Sequence, residues 1–209
     1  MEILDLITHL DQTLAAASQF LGLWLYLILF LIIFAETGLV IAPFLPGDSL
    51  LFAVGAMTSL ETGLNFEILC PLLILAAILG NEVNYRIGHW LGPQIFSQKN
   101  SRLLNQGHLI KAQNFYAKYG VRAMVIGRFM PIIRTFVPFV AGIGHMPYSS
   151  FCKSNVLGGI LWILSFLGAG KLFGNLPVVK TNFHIVIFVV ILISLLPILI
   201  EYVKAKKQA

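Results

Sequence analysis

Four charged side chains stand where this chain is otherwise almost wholly apolar. Glu36 and Asp48 fall in FAETGLVIAPFLPGDSLLFA, beside Pro43 and Pro46; Arg128 and Arg134 fall in GRFMPIIRTFVPFVAG, beside Pro131 and Pro138. Burial raises a carboxyl pKa and a nearby guanidinium lowers it, so an acid in such a place can be tuned to gain and lose a proton. Guanidinium offers a planar fork of donors that fits a phosphate bidentately. The pattern therefore points to proton carriage by Glu36 and Asp48 and to anion binding by Arg128 and Arg134. The plainer alternative is mutual neutralisation, with the charges only holding two segments together.

Composition decides the setting. Of 209 residues, 58% are hydrophobic and only 11% charged, whereas soluble domains carry about a quarter charged residues. This is the profile of a polytopic membrane protein. In that setting a charge at the bilayer centre costs at least about 2.5–3.5 kcal/mol, which makes the four residues functional candidates by default. Eight of the nine acidic residues lie between Glu2 and Glu82, and all fourteen Lys and Arg lie at or after Arg86. The positive-inside rule accounts for the loop cations and the KAKK tail, and it places the C-terminus in the cytoplasm. It does not account for charges inside apolar runs.

The N-terminal MEILDLITHLDQ has no basic region or small-residue cleavage site, so no cleaved signal peptide is expected. Cys70 and Cys152 sit in apolar segments and read as small buried hydrophobes. There is no Gly-x-Ser-x-Gly elbow, no His-Glu-x-x-His pair and no Walker loop. An enzyme, a cofactor, a metal site and a nucleic-acid partner are not expected.

The elements that must position the four charges follow from hydrophobic patterning. Residues 1–18 read as an amphipathic helix with Ile3, Ile7, Leu10 and Leu14 on one face. Residues 20–60 hold two apolar arms, each too short to cross a bilayer comfortably, separated by the Pro-rich motif. Proline removes an N–H and breaks the helix, and irregular backbone at membrane depth is tolerated only inside protein or against a watery cavity. A re-entrant helical hairpin satisfies both conditions. Residues 66–90 read as a span anchored by Trp90, and 92–120 as a cytoplasmic linker with a short amphipathic helix carrying Leu109, Ala112, Phe115 and Tyr119. Residues 121–146 read as a second re-entrant hairpin with His145 at its exit, and 151–173 and 183–203 as further spans.

The fold expected is an all-α helical bundle with two re-entrant hairpins in an inverted repeat. In that arrangement sites form near the midplane from discontinuous helices, and the carboxylates of one hairpin face the arginines of the other. Asn81, Glu82 and Tyr85, near the end of the 66–90 span, are secondary candidates.

These motifs resemble the DedA family of integral membrane proteins, also described as the SNARE-associated or VTT-domain group. FAETGLVIAPFLPGDSLLF is similar to the family's first hairpin, and GRFMPIIRTFVPFVAG to its Gly-Arg-Phe-x-Pro-x-x-Arg second one. The resemblance is closest to enterobacterial members tied to envelope integrity and to alkaline or drug tolerance. It implies a bacterial inner-membrane protein with functional residues at Glu36, Asp48, Arg128 and Arg134. The chain departs from the family pattern in GNEVNYRIGHWLG, where Asn81 replaces an acid and His89 an arginine.

The function expected is a secondary transporter or lipid flippase, driven by the proton motive force and moving an anionic lipid phosphate such as undecaprenyl phosphate. Arg128 and Arg134 would hold the phosphate, with Arg134, deeper in the broken stretch, the expected clamp. Glu36 and Asp48 would carry the proton. The alternatives are a cation/proton antiporter using protons or monovalent cations at the same carboxylates, and a non-transporting membrane-organising protein.

Overall fold

Asn65 starts the longest of the described helices by accepting the Glu67 backbone N–H on Oδ1 at 2.7 Å, which satisfies a donor that the first helical turn leaves open. In the computed structural model, which describes residues 22–39, 47–59, 64–95 and 106–177, the described residues are helical with no strand. The helices are α1 (Leu23–Gly38), α2 (Gly47–Met57), α3 (Phe66–Ile95), α4 (Gln106–Tyr119), α5 (Ala123–Ile126), α6 (Pro131–Ile143) and α7 (Tyr148–Gly174). The expected helix over 1–18, the tip carrying Pro43 and Pro46, the span over 183–203 and the basic tail lie outside the described residues.

Among the described residues, two helices are long and apolar enough to cross a membrane: α3 over Phe66–Leu91 and α7 over Tyr148–Gly174. Helices α3 and α7 cover the stretches 66–90 and 151–173. At about 1.5 Å per residue, either exceeds the ~30 Å hydrocarbon core. Helices α1 and α2, with 16 and 11 residues, have the shortness expected of the arms on either side of the first motif. The amphipathic helix inside 92–120 is α4.

In the second broken segment, one of the two prolines coincides with a break in the helix. Short helical turns, Gly120–Arg122, α5 and Gly127–Phe129, run up to Met130, which is extended at φ −112° and ψ 107°. Pro131 then opens α6 as its first residue. The break falls at Met130 because the residue before a proline is pushed out of the helical region, while proline itself is well placed at a first helical position. Pro138, by contrast, sits inside α6 without ending it.

The contacts divide the chain into two units that interleave in sequence. One unit holds 22–29, 47–59, 64–72 and 163–177 of the described residues. There Gly55 lies against the Leu167 backbone, and Gly170 and Gly174 lie against Phe52 and Ala56. Small residues of this kind let membrane helices approach backbone to backbone. Ser59 Oγ adds a hydrogen bond to the Lys171 carbonyl at 2.7 Å.

The other unit holds 30–39, 73–95 and 106–162. Its core joins Tyr85, Met124, Val137, Met146 and Phe151, with Phe115 and Tyr116 of α4 packed on it. Burial pushes the Tyr116 phenol above its usual pKa. Gly88 and Gly142 bring α3 and α6 together: a Cβ on Gly142 would collide with the Tyr85 carbonyl, and one on Gly88 with the Phe139 carbonyl. This close seam is what lets α3 place polar side chains against both α1 and α6.

Candidate functional site

Glu36 lies in the last turn of α1 and Arg134 in the first turn of α6. Each runs against its own helix: the C-terminal end of a helix disfavours an anion, and the N-terminal end disfavours a cation. The two cancel one another. Arg134 Nη2 donates to Glu36 Oε1 in a buried ion pair, with side chains 6% and 0% exposed. The guanidinium also lies 5.4 Å from the ring centre of Trp162, itself buried, a cation–π arrangement that a planar guanidinium suits.

The pair is held in register by a residue that the sequence pattern did not single out. Asn84 of α3 donates from Nδ2 to the Thr37 carbonyl at 3.1 Å and to the Thr135 carbonyl at 2.7 Å. Those are the residues immediately after Glu36 and Arg134, so one buried amide sets the spacing of the ion pair. Gly80 permits the approach, since a Cβ there would collide with the Thr37 side chain and come within 2.8 Å of the Phe34 carbonyl.

Arg128 is buried too, at 3% exposure, in the short helical turn before Met130. Its partners are neutral: Nη2 donates to Asn155 Oδ1 at 2.5 Å and approaches the carbonyls of Ala77 and Asn155 at 3.3 Å each. Nε and Nη1 have no hydrogen-bond partner among the described residues. Gly158 makes room for this side chain, because a Cβ there would lie 3.0 Å from Arg128 Cδ. Asn155 was not singled out in sequence either. The signal was present, since it is an amide inside the largely apolar 151–173 stretch.

Arg128 and Arg134 border one small cavity together with Thr37, Asn81 and Trp162. Its volume is about 10 Å³, room for about one water. Asn81 contributes a buried Nδ2 with no hydrogen-bond partner among the described residues. Two guanidiniums and an amide thus border one small space, and one of the guanidiniums is paired with the Glu36 carboxylate. Such a place can take a proton on Glu36, an anionic oxygen on the donors, or both.

The remaining sequence candidates lie elsewhere. Asp48 belongs to the other unit, in the first turn of α2, where the helix N-terminus favours a carboxylate. Glu82 bonds Arg86 Nε at 2.6 Å and accepts from the Tyr148 hydroxyl at 3.2 Å. Tyr85 donates to the Met146 carbonyl at 2.6 Å and stacks on Phe151 with ring centres 4.1 Å apart. Of the three secondary candidates, only Asn81 joins the arginines.

Comparison with known proteins gives a consistent assignment. The VTT domain family matches residues 45–172, a stretch that includes Asn84, Arg128, Arg134 and Asn155. The chain is 48% identical over 208 residues to Protein DedA of Escherichia coli (strain K12), covering 99% of this chain and 95% of that protein. It is 37% identical over 167 residues to Inner membrane protein YqjA of the same strain, covering 80% and 74%. An uncharacterized membrane protein of Mycobacterium tuberculosis (strain ATCC 25618 / H37Rv) is 37% identical over 172 residues, covering 82% and 75%. No solved structure gives a significant match. With the apolar helices and the family motifs in agreement, the chain belongs to the VTT-domain, or DedA, family of membrane proteins.

Proposed function

We propose that this protein is a proton-coupled transporter of an anionic lipid phosphate, of the undecaprenyl phosphate type, in the bacterial inner membrane. The name of the relative YqjA supports the location, and the two spans α3 and α7 support multi-pass insertion. The segments around 20–60 and 121–146 act as re-entrant hairpins related as an inverted repeat, with the C-terminus in the cytoplasm.

The observation that carries the reading is the competition at Arg134. Its guanidinium is engaged by Glu36, while beside it Arg128 holds two N–H groups with no described partner. Protonation of Glu36 removes the carboxylate's charge and releases Arg134. Arg134 and Arg128 then bind the phosphate together, with the N-terminal turn of α6 adding favourable dipole. Loss of the proton on the far side restores the Glu36–Arg134 pair and expels the phosphate. Arg128 is the constant donor, Arg134 the switched one, and proton and anion travel together. Asp48 serves as the second protonatable carboxylate.

The test is reconstitution of the purified protein in liposomes containing labelled undecaprenyl phosphate, with and without an imposed pH gradient. Acceleration of lipid movement by the gradient supports coupled transport. Movement indifferent to the gradient supports scrambling, proton and cation fluxes without lipid movement support an antiporter, and no flux at all supports a structural role.

A further inference from the structure

His145 occupies a backbone position that ordinarily belongs to glycine. Helix α6 ends in a complete Schellman motif: Met146 N–H bonds the Ala141 carbonyl at 3.0 Å, and His145 N–H bonds the Gly142 carbonyl at 3.1 Å. The residue in the left-handed conformation at the centre of that motif is His145, at φ 50°. Glycine is the usual occupant because it lacks a Cβ, and Gly144 stands one position too early to take the place. An outlier of this kind calls for a role of the side chain.

The side chain meets His89. The two Nδ1 atoms are 3.2 Å apart, and the rings meet edge to face with centres 4.7 Å apart. Both are anchored by Tyr85, which stacks on the His89 ring with ring centres 6.3 Å apart and bonds the carbonyl of Met146, the residue after His145. Both imidazoles border an exposed cavity of about 540 Å³.

The geometry points to a metal site: we propose that His89 and His145 chelate a divalent transition metal through their Nδ1 atoms, stapling the end of α3 to the turn after α6. With metal–nitrogen bonds of about 2.0–2.1 Å, two ligands of a tetrahedral ion stand about 3.3–3.4 Å apart, so the 3.2 Å separation, within hydrogen-bond range for the free imidazoles, needs only a slight opening to take the ion. Imidazole selects Zn2+, Cu2+ and Ni2+ over Mg2+ and Ca2+. Glu82 is not a third ligand, because Arg86 and Tyr148 hold its two oxygens. That same pairing offsets the charge of Arg86 beside the site. No group of three or more His, Cys, Asp or Glu is poised for a metal among the described residues. The other coordination positions are therefore open to water or to a small ligand in the cavity. The sequence carried no metal signature, because the two histidines are 56 residues apart.

The full-length protein, purified in detergent without a polyhistidine tag, tests this with Zn2+ alone in a calorimetric titration near neutral pH. One equivalent should bind, with affinity reduced about tenfold or more in His89→Gln and in His145→Gly, and Cu2+ should bind more tightly than Zn2+. His145→Gly is the informative variant, because glycine relieves the left-handed strain: in the absence of metal its melting temperature should equal or exceed that of the parent. No stoichiometric Zn2+ binding, or binding unchanged in both variants and dependent instead on His9, His108 or His184, would overturn the proposal.

Discussion

Glu36 and Arg134, 98 residues apart, form a buried ion pair in which each charge opposes the dipole of the helix that carries it. Neither helix end would hold its charge alone. Neutralising one member therefore leaves the other in need of a new partner.

Neutralising Glu36 separates transport from scaffolding through protein abundance. A pair that only holds segments together loses about 3–5 kcal/mol when one partner is removed, and Glu36→Gln would then fall in membrane level. Under the proposed function, glutamine imitates the protonated acid and a lipid phosphate replaces it as counter-anion. Immunoblots of membrane fractions should accordingly show Glu36→Gln near the parent level.

Exchanging arginine for lysine tests the anion. Lysine keeps the charge but replaces a planar fork with a compact ammonium. Arg128→Lys and Arg134→Lys should each lower lipid movement about tenfold or more while protein level is retained. Full activity in both would count against phosphate binding and favour the cation/proton antiporter.

Asn155 tests the open edge of Arg128. Asn155→Asp keeps size and shape but supplies a carboxylate where the guanidinium now meets a neutral oxygen at 2.5 Å. Lipid movement should fall sharply with no loss of abundance, as a fixed counter-charge competes with the substrate. Unchanged transport in Asn155→Asp would remove Arg128 from the binding site.

Asn84 is a positioning residue, and its loss should register as stability. Asn84→Leu leaves the carbonyls of Thr37 and Thr135 without the amide that now bonds them at 3.1 and 2.7 Å. At about 1–3 kcal/mol for each buried group left unsatisfied, thermal unfolding in detergent should shift clearly downward. An unaltered melting temperature would mean that the clamp does not set the spacing of the ion pair.

Much of the architecture was legible in the sequence for simple reasons. Long apolar runs announced α3 and α7, and the 3.6-residue period announced α4. The charged residues were conspicuous because charge inside an apolar run is costly, and that logic set Glu36 and Asp48 against Arg128 and Arg134 without choosing which of them pair. What escaped notice depends on three-dimensional neighbours. Asn84 and Asn155 are uncharged, so composition did not mark them, although they set the partners of both arginines. Glu82 stood out for its charge yet makes a local bond to Arg86 four residues on. Pro131 and Pro138 looked equivalent, but only Pro131, at a helix start, coincides with a break.

Orientation is open to direct measurement. Single cysteines replacing Asn100 and Lys207 should resist impermeant thiol reagents applied to intact cells, since the basic stretch and tail are expected on the cytoplasmic side. Ready labelling at either position would reverse the topology.

The central claim is that a proton on Glu36 frees Arg134 for a lipid phosphate. The most direct measurement compares the parent and Glu36→Gln in liposomes containing labelled undecaprenyl phosphate, each with and without a pH gradient. The parent should move lipid faster under the gradient, and Glu36→Gln should show no response to it. An equal gradient response in Glu36→Gln, or none in the parent, would contradict the account.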